Sequence, residues 1–171
     1  IPRVDTGRVT VCVSTQVGCK MGCTFCLTAQ QKVERNLTAG EIAGQILVLP
    51  NREQVTNVVF MGMGEPLDNY DNVMGALEIL TDVEGPNISA KKITVSTSGL
   101  VPAMKRFLAA TRARLAVSLN ASNDKIRTEI MPINKAYDLD ALLGMLKSIA
   151  HHPELRAEKR EFNVTFEYIL I

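Results

Sequence analysis

The stretch Gly18-Cys19-Lys20-Met21-Gly22-Cys23-Thr24-Phe25-Cys26 puts three of the chain's four cysteines within eight residues, spaced Cys-x3-Cys-x2-Cys. A secreted disulfide framework spreads its cysteines along the chain, so this clustering suits a metal site in a reducing compartment. Zinc usually takes four ligands, commonly from two paired knuckles. Here three ligands stand without a convincing fourth. His151 and His152 are remote in a polar stretch, and Cys12 falls inside an apolar run that reads as a strand. Three thiolates on a cubane iron–sulfur cluster leave one iron open for nitrogen and oxygen ligands. A short loop can wrap three corners of one such cluster. From these residues alone, a structural zinc loop and a cluster used only for electron transfer remain open.

Outward from the loop, apolar runs alternate with helix-like segments. Val9–Val13, Val55–Met61, Lys92–Ser96, Leu115–Leu119 and Phe162–Ile171 read as strands. Thr38 predicts a helix cap, with Glu41 at the capping-box position and the helix running from Ala39 to about Leu49. Asn72–Leu80 places Val73, Leu77 and Leu80 on one helical face. Pro102 marks the start of a helix continuing over Ala103–Ala110, and Asn123–Ile130 and Leu139–Ala150 are also helical. Repeated strand–loop–helix units predict an α/β fold with parallel strands and outer helices. Either a doubly wound sheet or a (β/α) barrel satisfies that pattern. Polar and glycine-rich residues follow each strand, at Gly18–Cys26, Gly62–Pro66, Ser96–Gly99 and Ser118–Ser122, and sites collect at that end in both architectures.

Composition narrows the class. Hydrophobic residues at 46% and charged residues at 22% fit an ordinary globular domain rather than a disordered chain. No apolar stretch approaches the roughly 20 residues of a membrane span, and the start has no signal-peptide pattern. A cytoplasmic protein is expected. The net charge of +1 advertises no global nucleic-acid affinity. Arg3, Arg8, Lys20, Lys32 and Arg35 nonetheless surround the cysteine segment and can meet phosphates. No linker divides residues 1–171, so they read as one domain, while His151–Glu161 reads as a solvated connection. The chain lacks an initiator Met and stops inside an apolar run, so it reads as the middle of a longer protein, truncated at both ends.

The cysteine spacing, with Phe25 as the aromatic before the last cysteine, resembles the signature of the radical S-adenosylmethionine (SAM) superfamily. The resemblance implies a partial (β/α) barrel and a 4Fe-4S cluster held by Cys19, Cys23 and Cys26. The open iron would chelate SAM, which one-electron reduction cleaves to methionine and a 5′-deoxyadenosyl radical. Gly64-Glu65, after the second strand, resembles the superfamily's GGE motif for the methionyl amino group. Gly64, Glu65, Ser96, Ser118, Leu119 and Asn120 would line the SAM site. Asn120 stands where some members have histidine. Ser96 and Ser118 can bond a ribose or a carboxylate.

Closer phrases narrow the family. Cys12-Val-Ser-Thr-Gln-Val-Gly-Cys19, Thr28-Ala-Gln-Gln31, Arg35-Asn-Leu37, Met61-Gly-Met-Gly-Glu-Pro-Leu67, Thr97-Ser-Gly99 and Ile130-Met-Pro-Ile-Asn134 resemble the adenine carbon-2 methyltransferases of 23S ribosomal RNA, which also modify transfer RNA. The carbon-8 methyltransferase is the near alternative, and another radical SAM enzyme a further one. Two SAM molecules are implied: one methylates a cysteine near the C-terminus, and the other supplies the radical that abstracts hydrogen from that methyl. Cys12 would resolve the RNA–enzyme adduct through proton removal and a transient disulfide. No cysteine follows Cys26, so the methyl carrier is expected outside this stretch, which alone should not complete methyl transfer. The resemblance further implies an electron donor such as a flavodoxin, and a monomer.

Overall fold

Branched and aromatic residues recur at every second position of the central strands, and that alternation places the core. The computed structural model describes residues 2–3, 7–150 and 164–169. The strands are β1 (Pro2–Arg3), β2 (Arg8–Cys12), β3 (Gln16–Val17), β4 (Arg35–Asn36), β5 (Asn57–Phe60), β6 (Ile93–Thr97), β7 (Arg114–Ser118) and β8 (Val164–Glu167). The main sheet runs β1-β2-β5-β6-β7-β8, with β1 antiparallel to β2 and all later neighbours parallel. The five parallel strands keep chain order in space. A doubly wound sheet would reverse direction at a switch point, so this order selects the barrel alternative, here a partial barrel.

Helices α1 (Ala39–Leu47), α2 (Tyr70–Thr81), α3 (Val101–Ala110), α4 (Asp124–Ile130) and α5 (Leu139–Ala150) fill the crossovers. Val73, Ala76, Leu77 and Leu80 form the buried face of α2, and Ile42, Ala43 and Ile46 that of α1. These faces join Val58, Phe60, Ile93, Val95, Leu115 and Val117 in one core between sheet and helices. Alternation then fixes the opposite, concave face. Cys12, Val59, Thr94, Ser96, Ala116, Ser118 and Glu167 occupy the strand positions that face it. Polar chemistry is thereby concentrated on one side of the sheet.

The predicted strands and helices match with boundary shifts of a few residues. The predicted first helix reaches Leu49, but α1 ends at Leu47, with Val48 as its C-cap. The outer residues of the predicted Phe162–Ile171 strand, and the His151–Glu161 connection, lie outside the described residues. Among the described residues, no helix is long and apolar enough to cross a membrane.

Both halves of the capping box of α1 are present. The Thr38 N–H donates to Glu41 Oε2 at 2.9 Å, and the Glu41 N–H donates to Thr38 Oγ1 at 3.2 Å. Arg35 forms a two-pronged pair with the same carboxylate. The Arg35 hydrogen bonds and the Thr38 N–H hold Glu41 at about 2, below its ordinary value of 4.5. The charged form therefore contributes stability above about pH 4.5 that is lost as pH falls through about 2. Glu41 is exposed, so the contribution is small. We predict that Glu41→Gln lowers Tm by no more than about 2 °C at pH 7. Thermal scans should show the gap to the parent closing as pH falls from about 5 to about 2.

Candidate functional site

The cysteine loop leaves and re-enters the body through a pair of two-residue strands. β3 and β4 pair antiparallel, Gln16 opposite Asn36 and Val17 opposite Arg35. The Glu34 N–H donates to Val17 O at 2.8 Å, and the Cys19 N–H to Gln31 O at 3.4 Å. Gly18 sits at φ +80°, where a Cβ would run into the Lys32 backbone, so only glycine allows the two arms to meet here. At the far side the Thr24 N–H donates to Ile130 O, tying the loop to the end of α4. The Cys26 N–H bonds back to Cys23 O, closing a tight turn around the last two cysteines.

Cys19, Cys23 and Cys26 are free, half-buried, and share one cavity of about 400 Å³. That volume lies in the range of small-molecule sites. Burial pushes the Cys23 thiol up to about 11 and the Cys19 thiol above its ordinary value. A bound metal must therefore displace protons from both. Met21, Phe25, Phe60 and Met131 supply an apolar wall around them. No group of three or more His, Cys, Asp or Glu among the described residues is arranged to hold a single metal ion. Three thiols spread around one cavity suit ligands to different irons of a cluster instead, so the donor set fits a 4Fe-4S group and does not fit a structural zinc.

The loop after β5 is held against the chain beyond β2. The Thr15 and Gln16 N–H groups both donate to Met63 O, and the Glu65 N–H donates to the buried Gln16 Oε1 at 2.9 Å. Gly64 has φ +100°, and a Cβ there would stand 2.8 Å from the Gln16 backbone nitrogen. Close approach of two backbones is what the glycine provides. The Glu65 carboxylate is 3% exposed. It accepts from the Ser98 N–H at 2.7 Å and the Leu67 N–H at 3.1 Å. Burial raises its pKa, opposed by the Ser98 N–H, the Thr97 hydroxyl and the Leu67 N–H. Glu65 thus ties the loop after β5 to the loop after β6, a role the sequence did not reveal, while still forming part of the cavity wall.

Ser96, Ser118, Gly64, Glu65 and Asn120 all line the same cavity as the three cysteines. Asn120 holds φ +56°, a left-handed conformation that asparagine tolerates better than most residues. Its Oδ1 accepts from the Ile169 N–H at 3.2 Å. Leu119 is not part of the lining: it packs against the core. Its N–H donates to Glu167 O and its carbonyl accepts from Arg127 Nε. Cys12 is exposed and lines a separate groove with Val9–Val11 and Leu49–Val55. It shares the concave face with Ser96 but not the cavity.

Two residues absent from the sequence reading organise this site. Glu167 Oε2 accepts from both Ser96 Oγ and Ser118 Oγ at 3.1 Å. Arg127, fully buried, donates to the carbonyls of Leu119, Ser98 and Ser118 and to Asn134 Oδ1. The basic residues are less available than expected. Lys20 pairs with Asp68 at 2.6 Å and Arg35 with Glu41. Arg8 and Lys32 are exposed, and the Arg3 side chain lies outside the described residues.

Comparison with known proteins agrees with this geometry. The radical SAM superfamily profile matches residues 13–151. A dual-specificity RNA methyltransferase RlmN from Geotalea uraniireducens is 50% identical over 167 residues, covering 98% of this chain and 47% of that protein. The protein of the same name from Campylobacter jejuni is 47% identical over 175 residues, covering 99% and 47%. The crystal structure of a radical SAM methyltransferase from Sphaerobacter thermophilus superposes with a TM-score of 0.87 at 42% identity, covering 97% of this chain and 48% of that one. The chain spans about half the length of the curated relatives it matches. With a profile match across most of its length and three cysteines gathered at one cavity, the chain belongs to the radical SAM superfamily.

Proposed function

We propose that this chain is the radical-generating domain, spanning residues 1–171, of an RNA methyltransferase acting on carbon 2 of adenine in 23S ribosomal RNA and transfer RNA. The observation that carries the reading is the 50% identity to an RNA methyltransferase over nearly the whole chain, on a structure that collects the cysteine triad and the strand-end polar residues in one cavity. Cys19, Cys23 and Cys26 hold a 4Fe-4S cluster. Gly64, Glu65, Ser96, Ser118 and Asn120 form the wall against which SAM lies, and Leu119 acts through its backbone. When bound, the cluster supplies one electron for reductive cleavage of SAM. The apolar wall of Met21, Phe25, Phe60 and Met131 keeps water from that end of the cavity. Cys12 is exposed on the concave face, where a thiol can take a proton from a carbon held above the sheet and pair transiently with a second thiol. Arg8 and Lys32 stand on the surface to meet RNA phosphates. A cytoplasmic monomer served by an electron donor such as a flavodoxin fits a reducing environment for four free cysteines.

The test uses the full-length protein, reconstituted anaerobically and supplied with reductant, SAM and either a 23S fragment or transfer RNA. Nuclease digestion and mass spectrometry should find adenosine methylated at carbon 2. Methyl at carbon 8 would favour the alternative enzyme, and RNA without added methyl in either substrate would sink the reading.

A further inference from the structure

The cavity has two chemically distinct ends. The thiols occupy one. At the other, Ser118 stands opposite Glu167 in the strand register, and Ser96 reaches the same carboxylate from the neighbouring strand. A serine hydroxyl carries a single proton, and an ionised carboxylate only accepts. Both serine protons point at Glu167 Oε2, at 3.1 Å each. The two serine oxygens therefore turn lone pairs, not protons, toward the cavity that all three residues line. The carboxylate has acceptor positions beyond the two the serines use. This end of the cavity is a patch of acceptors carrying negative charge. It repels a carboxylate or phosphate and suits a group that brings two adjacent hydroxyl donors.

Resting on the reading of this cavity as a SAM site, we propose that Glu167 is the residue that recognises the ribose diol of SAM. It turns Ser96 and Ser118 into acceptors and takes a ribose hydroxyl on its own carboxylate. The methionyl carboxylate belongs at the other end, away from this charge. Ser96 and Ser118 are then sugar ligands held in one orientation, rather than general polar lining able to serve either group.

Full-length protein, anaerobically reconstituted, can be titrated calorimetrically with SAM, with its 2′-deoxy and 3′-deoxy analogues, and with the analogue lacking the amino group. Glu167→Gln introduces an amide N–H₂ donor into the acceptor patch. It should weaken SAM binding by about 10–100-fold, the range of a hydrogen bond to a charged group. It should weaken at least one deoxy analogue by less than about threefold, because that ligand has already lost the contact. Glu167→Ala should show the same pattern, and iron content equal to the parent's shows that each variant retains its site. Equal losses for all four ligands, or unchanged SAM binding, would overturn the assignment of Glu167 alone. So would insensitivity confined to the analogue lacking the amino group, since the acceptors would then serve the ammonium. No SAM binding to the parent would overturn the cavity reading and this proposal together.

Discussion

Serine in place of Cys19, Cys23 or Cys26 should remove the cluster outright. Anaerobically reconstituted parent is expected to hold about four irons and four sulfides per chain, and each variant close to none. A serine hydroxyl does not ionise near neutral pH, and the loop offers no spare ligand. The one remaining cysteine, Cys12, is exposed in a separate groove, and no arranged group of acidic or histidine side chains stands nearby among the described residues. The loop itself should survive, because backbone pairing at Gln16–Val17 and Arg35–Asn36 closes it. Circular dichroism of the variants should therefore match that of the parent protein without its cluster. Cys12→Ser gives the contrast: full iron and sulfide, with any defect confined to turnover on RNA. Full iron in any of the three loop variants, or zinc without sulfide in the parent, would refute the three-thiolate reading.

That contrast was readable from the sequence because cysteine spacing is local. The same holds for the strands and helices, whose apolar periods repeat over four to twelve residues. Strand order was not readable: the alternation fits both a switch-point sheet and a barrel, and only the β2-β5-β6-β7-β8 neighbour order separates them. The β3–β4 pair was invisible because two polar residues per strand show no period. Glu167 escaped because its serine partners lie 71 and 49 residues away, and a glutamate in an apolar strand has no spacing signature. Leu119 was assigned to the SAM site through the resemblance, which names positions without saying which atoms serve. The structure shows its backbone engaged by Glu167 and Arg127. The phrase Ile130-Met-Pro-Ile-Asn134 carried family likeness but no role until Asn134 was seen to accept from Arg127 at 2.8 Å.

Arg127 carries the second large effect, and it acts through packing rather than contact with a ligand. Its guanidinium is fully buried and faces four acceptors, three of them backbone carbonyls at the ends of β6 and β7. Those carbonyls belong to Ser98, Ser118 and Leu119, the segments that shape the cavity. Arginine's planar fork can reach all four at once, and lysine's single nitrogen cannot. Replacing Arg127 by methionine fills most of the volume but strands buried carbonyls, each costing about 1–3 kcal/mol. With some relaxation the total should be about 3–5 kcal/mol, a large share of the roughly 5–15 kcal/mol that holds a domain together. Thermal unfolding should fall by roughly 10 °C or more. Arg127→Lys should recover only part of that loss. Asn134→Ala should produce a smaller loss in the same direction, since it removes one acceptor and frees Asp124 and Thr128. In hydrogen exchange the Leu119 amide, which bonds Glu167 across the same strand ends, should lose protection in Arg127→Lys before the strand centres do. An Arg127→Met protein within about 1 kcal/mol of the parent would show that the strand ends hold themselves and that this arginine is not their clamp.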